Sequence, residues 1–260
     1  MRDSVRAAFV PFTAPLEGVV PWMYLDVKGL VTVAIGNLID PIQYALPLPF
    51  LHADGRIATR DQIAAEWLRV KHHPLLAKYG HRAAEKVTTL RLDAMGIDLV
   101  VSRKLNQNAD HLRRRFVEWE EWPACAQLAT LSMAWACGPA FRFPMLAAAL
   151  NSQDWELAAQ ECHIDETNNP GIVPRNVRNK MLYRNAARVR AFHLDPDALN
   201  WETDYDVTQL DTQPEIANPA SEPTICVTEP KVWVDPSAYL RPKEFLDGLD
   251  IEIHDDDGED

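Results

Sequence analysis

Three residues near the N-terminus have types and spacing suited to acid–base chemistry. They are Glu17, Asp26 nine residues later, and Thr32 six residues after that. Glu17 stands among Leu16, Val19 and Val20, and apolar neighbours favour a neutral carboxyl that can donate a proton. Asp26 opens the polar turn Asp26-Val27-Lys28-Gly29, a setting that favours the ionised form. Two carboxyl groups in unlike surroundings match the needs of glycosidic bond cleavage. One protonates the leaving oxygen, and the other activates a water or attacks the sugar. The Thr32 hydroxyl, across a hairpin from Asp26, would hold that water. The chain has 38 acidic residues and turns favour Asp, so on spacing alone the purely structural reading is the stronger one.

The positioning elements follow from pattern. Leu30 to Ile35 is a run of β-formers, and with the turn before it predicts a β-hairpin in which Gly29 supplies a positive φ. Residues 4–18 predict a short or broken helix, because Pro11 and Pro15 each remove a helical donor. Residues 40–55, with Pro41, Pro47 and Pro49, predict an irregular insertion beside the hairpin. Thr59-Arg60-Asp61-Gln62 is a capping box, followed by Ile63, Trp67 and Val70 at helical spacing and a stop at His72-His73-Pro74. Residues 82–121 predict one or two amphipathic helices. Arg113-Arg114-Arg115 is either a solvated helix face or a contact for an anionic polymer. Cys125 to Ala136 is almost wholly apolar, which predicts a central buried helix stopped by Cys137-Gly138-Pro139. A helix, turn, helix pattern follows over 143–159.

The formal charge of −12 is unevenly spread. Residues 1–200 hold 23 Lys and Arg against 21 acids, and residues 201–260 hold 3 against 17. A near-neutral body and an acidic tail argue against nucleic acid as a ligand, since phosphate binding needs a basic face. The N-terminal residues do not read as a secretory leader, and no run of 18 apolar residues predicts a membrane span. Synthesis in the cytoplasm is expected. The four cysteines, at 125, 137, 162 and 226, lack C-x-x-C spacing and are read as reduced thiols. The pair Cys162-His163 is read as core, not as a metal site. In the tail, which has six prolines, 225–228 and 232–234 are expected to be extended pieces on the body and the last residues to be disordered.

Glu17-Gly18, Tyr24, Asp26, Gly29, Thr32 and Ile35-Gly36 together resemble the active-site stretch of the T-even phage lysozyme group (glycoside hydrolase family 24). Weaker likeness runs over about residues 9–192. The resemblance makes Glu17 the general acid, Asp26 the base or stabiliser, and Thr32 the residue that orients water. Asn37 stands where the family commonly has His, and Ala34 where Gly is frequent, so both bear on the sugar subsites and the hairpin. Met133 to Gly138 resembles a segment that brings an aromatic to the substrate, which makes Trp135 a sugar-stacking residue or a core one. Trp155 to Ala159 resembles the family's W-x-x-A-A helix. Gly171 to Arg178 resembles a G-L-x-x-R-R helix start whose first Arg lies near the catalytic Glu, and that role carries to Arg175. A guanidinium there would oppose the apolar effect on Glu17, or serve as a bridge between lobes.

The implied fold is α+β and mostly helical, with a small β-hairpin lobe, a larger helical lobe and an extended acidic C-terminal tail. Residues 1–195 form the catalytic domain and 196–260 the tail. The implied reaction is hydrolysis of the β-1,4 bond between N-acetylmuramic acid and N-acetylglucosamine in peptidoglycan, with no metal or organic cofactor. The acidic balance suits an antibacterial effector handed over by a contractile (type VI-like) secretion machine. It would act in the periplasm or cell wall and be neutralised by an immunity protein. A phage endolysin, or an inactive glycan-binding or tail-structural protein with the same fold, remains the alternative.

Overall fold

A computed structural model describes residues 1–73, 75–167 and 169–199. The sequence expectations for the acidic segment 201–260, and for Pro74 as a helix stop, lie outside the described residues. Among the described residues there are eight α-helices and one three-stranded antiparallel sheet, so the fold is α+β and mostly helical.

Helix α1 (Asp3–Glu17) is continuous, not broken as its two prolines suggested. Pro11 and Pro15 are four residues apart and both exposed, so the missing donors and the freed carbonyls of the turn before fall on the watered face. The opposite face buries Val5, Ala8, Phe9, Phe12 and Thr13 at helical spacing. Gly18, at φ +76, ends the helix and turns the chain into the sheet.

The sheet has the order β1 (Val20–Leu25), β2 (Val31–Ala34), β3 (Asn37–Leu38). Gly29, at φ +72, closes the first turn, with its N–H donating to the Asp26 carbonyl at 2.9 Å. The second turn holds Ala34 at φ +56 and Gly36 at φ +75. A left-handed backbone at Ala34 gives a physical reason for glycine there, since an L side chain is disfavoured in that region.

Helix α2 (Arg60–Lys71) opens with the full capping box: Gln62 N–H donates to Thr59 Oγ1 at 3.3 Å and Thr59 N–H to Gln62 Oε1 at 2.8 Å. Helix α3 (Leu76–Val87), kinked at Gly80, packs on β1. Helix α4 (Ala94–Arg115) is capped by Asp93, whose Oδ1 accepts from Gly96 N–H at 2.8 Å. The arginine run at its end is divided in use. Arg113 pairs with Asp110, while Arg115 donates to the carbonyls of Pro139 and Phe141 at 3.0 and 2.7 Å.

Helix α5 (Ala124–Cys137) is buried from Ala124 through Trp135 and packs against α1, α4 and the long α8 (Val173–Ala191). The pair α6 (Pro144–Ser152) and α7 (Trp155–Glu161) closes over α8. The chain then turns back. Ala124 N–H donates to the Pro196 carbonyl at 2.7 Å, and Arg2 pairs with Asp197, so residues 196 and 197 lie against the body.

Cys125, Cys137 and Cys162 are free thiols, the first and last buried. Burial pushes the Cys162 thiol from 9.0 up to about 12, and pushes the Tyr183 phenol, bonded to Thr130 Oγ1 at 2.8 Å, well above its ordinary value. Both groups are neutral when protonated and their folded values are raised. Their contribution is therefore complete below the unfolded values and lost as pH climbs toward the folded ones. Melting temperature should fall between about pH 9 and pH 12, and Cys162→Ala should flatten the early part of that fall. An unchanged profile in the variant would show that the thiol has no part in it.

Candidate active site

Glu17 is the last residue of α1, so its carboxylate stands at a helix C-terminus, where the dipole is unfavourable to negative charge. A cation offsets this. Arg175, in the first turn of α8, donates from Nη2 to Glu17 Oε1. The Arg175 side chain is 2% exposed, and its Nη1 donates to the Ser132 carbonyl at 3.0 Å and the Ser132 hydroxyl at 2.9 Å. Burial pulls the guanidinium below its ordinary value, and the Glu17 charge opposes that. Glu17 itself keeps 29% of its side-chain exposure, so it has one buried cationic partner and one open side.

Asp26 is oriented by its own loop. Its Oδ1 accepts from the N–H groups of Lys28 and Leu30, both at 2.9 Å. Its backbone N–H donates to the Leu30 carbonyl at 3.0 Å. Helix α2 fixes this loop from behind. Lys71 Nζ donates to the Gly29 carbonyl at 2.9 Å and pairs with Asp40 Oδ2 at 2.7 Å, and Asp40 Oδ2 also accepts from Val31 N–H at 3.1 Å.

Tyr24, on β1, feels the charge of both carboxylates. Its phenol is pushed far above the ordinary tyrosine value, first by burial and then by the charges of Glu17 and Asp26. Both acids thus act on one hydroxyl. Thr32 pairs with Tyr24 across the strands, not with Asp26, because the loop places Asp26 beyond the end of β1. The Thr32 side chain is buried, and its hydroxyl donates to the Leu30 carbonyl at 3.2 Å, which leaves its oxygen as an acceptor.

One open expectation is decided here and one is corrected. Trp135 belongs to the core. Its indole N–H donates to the Ile35 carbonyl at 3.0 Å, the Phe9 ring lies 4.9 Å from its own, and Lys104 Nζ sits 4.1 Å from its ring centroid. Those neighbours occupy the ring that a sugar would stack on. Asn37, 2% exposed, donates to the Val100 carbonyl at 3.2 Å and ties the sheet to α4, so it does not face substrate.

Sequence reading missed Lys104, Lys71, Asp40 and Ser132. Only Lys104 left a signal. It falls four residues after Val100 and four before Asn108, on the buried stripe of α4, where a cation is out of pattern. Among the described residues no three His, Cys, Asp or Glu side chains converge as metal ligands, and no helix is long and apolar enough to cross a membrane. No protein-family model matches the chain, and neither a curated protein nor a solved structure matches it.

Breaking a buried ion pair from one side leaves an uncompensated charge, a cost of about 3–5 kcal/mol. Glu17→Ala should approach that loss in urea unfolding, since it strands Arg175. Adding Arg175→Met should recover much of it, because an apolar chain of similar length removes the stranded charge. Strictly additive losses would show that the two residues are not energetically coupled. Separately, Lys71→Met should speed hydrogen exchange at the Leu30 amide by about tenfold, as the Asp26 loop opens more often. An unchanged rate would mean that α2 does not hold the loop.

Proposed function

We propose that this protein is a peptidoglycan hydrolase, an N-acetylmuramidase cleaving the β-1,4 bond between N-acetylmuramic acid and N-acetylglucosamine. The observation that carries this reading is the Glu17–Arg175 pair. These residues are 158 positions apart, and the family resemblance called independently for such an Arg beside such a Glu. The lysozyme-like division into a hairpin lobe and a helical lobe belongs to the same proposal.

In this reading Glu17, ion-paired through Oε1 in the free protein, takes up a proton on its open Oε2 as substrate binds and donates it to the glycosidic oxygen as the bond to C1 breaks. The carboxylate left behind meets the Arg175 guanidinium, which Ser132 already holds in place. Asp26, held by two amides, faces the positive charge developing at C1 and activates the attacking water. Thr32 accepts a hydrogen bond from that water. The Tyr24 phenol stays protonated, because burial and the charges of both acids oppose its ionisation. An antibacterial role, with an immunity protein as partner, is part of the proposal and draws on the acidic balance of residues 201–260.

The test is clearing of purified peptidoglycan. Glu17→Gln keeps an acceptor for Arg175 but has no proton to transfer, so hydrolysis should fall by roughly 100- to 10,000-fold, while the lost counter-charge lowers the melting transition by less than Glu17→Ala does. Lysis at the wild-type rate would overturn the reading. Asp26→Asn should also be crippled. NMR of the first product then assigns its role: an inverted anomer makes Asp26 the base for water, and a retained one makes it a nucleophile.

A further inference from the structure

Lys104 has no part in the chemistry above, yet its position is costly. It lies on the buried stripe of α4, half-buried, where an ammonium loses much of its hydration. Burial draws it below the ordinary lysine value, and the nearby Arg175 charge adds to that, while Glu17 opposes it. The carboxylate of Glu17 is already engaged by Arg175 through Oε1. Its Oε2 lies toward Gly36, 3.9 Å from where a side chain on that residue would begin, and Lys104 Nζ donates to the carbonyl of the same Gly36 at 3.3 Å. Trp135 lies beneath the ammonium. One acid and two cations therefore share this corner. Among the described residues no carboxylate reaches ion-pair distance of Lys104, and two of its three N–H donors remain unspent.

We propose that Lys104 is a specificity-determining residue that binds a carboxylate carried by the polymer, next to the bond that Glu17 protonates. This rests on the hydrolase reading of the site. The carboxylate comes either from the lactyl group of the amino sugar or from the peptide attached to it. An ammonium over an indole, partly shielded from water, forms a stronger charge-assisted hydrogen bond than a fully hydrated lysine does. A neutral glycan would leave that cation unpaired.

The experiment is co-sedimentation of the full chain with insoluble peptidoglycan in three forms. One is native, one has its carboxylates converted to amides, and one is stripped of peptides so that only lactyl carboxylates remain. Amidation should weaken wild-type binding about tenfold. Lys104→Met should bind native material about tenfold more weakly and lose nothing further on amidation, while Lys104→Arg should keep the preference. Retained preference for the stripped form assigns the lactyl group, and its loss assigns the peptide. A Lys104→Met variant still as sensitive to amidation as wild type overturns the proposal, as does a wild type indifferent to amidation. Product release on the same samples is read separately. Selective binding without cleavage by the wild type would end the hydrolase reading and leave the anion site standing. Binding to none of the three forms would end both.

Discussion

A guanidinium that is 2% exposed must find a counter-charge, and three helices are arranged to supply it. Arg175 starts α8, its Ser132 partner lies on α5, and Glu17 ends α1. The pair is therefore a three-way joint as well as a feature of the site. The α5–α8 seam continues polar away from it, with Tyr183, about two turns beyond Arg175 on α8, bonded to Thr130 of α5. Because the cation is buried and the carboxylate is partly exposed, the joint is rigid on one side and accessible on the other. That asymmetry lets one residue serve both stability and the proposed chemistry.

The small sheet has too few residues to bury a core of its own. It is held by side chains that bond to its backbone, or from it to a neighbouring helix. Trp135 and Trp67 donate to the carbonyls of Ile35 and Ile39, both at 3.0 Å. Lys104 and Lys71 reach Gly36 and Gly29, and Trp22 donates to the His81 carbonyl at 2.7 Å. Indole and ammonium groups are long enough to cross from a packed helix to a strand while their apolar parts stay in the core. Burial of Trp135 follows from this use. The same geometry makes Trp135, an aromatic of the kind that stacks on sugars, the residue that fixes the turn facing Glu17.

A second buried carboxylate shows how the helix behind the sheet is tied down. Glu66 of α2, 3% exposed, accepts from the N–H groups of Thr89 and Leu90 and from the Thr89 hydroxyl at 2.7–2.9 Å. Leu92 N–H in turn donates to the Pro21 carbonyl at 2.8 Å. Segment 89–92 thus couples α2 to β1. Lys71, at the end of the same α2, meets the Asp26 loop, so the position of Asp26 depends on contacts distant in sequence.

Local physics was legible without a structure. The capping box at Thr59, the stop at Gly138, the hairpin turn at Gly29 and the buried α5 each depend on residues within a few positions of one another, where side-chain type dictates backbone. The acids Glu17 and Asp26 stood out for the same reason. Adjacent sequence did not determine what surrounds them. Apolar neighbours at 16, 19 and 20 suggested a dry pocket for Glu17, but its partner comes from Arg175, brought in by the packing of α8 on α5. The burial of Trp135 and Asn37, and the register that sets Thr32 against Tyr24, were decided by which helix covers each face of the sheet. Those outcomes depend on long-range packing, and composition and periodicity carry no record of which distant surface will arrive.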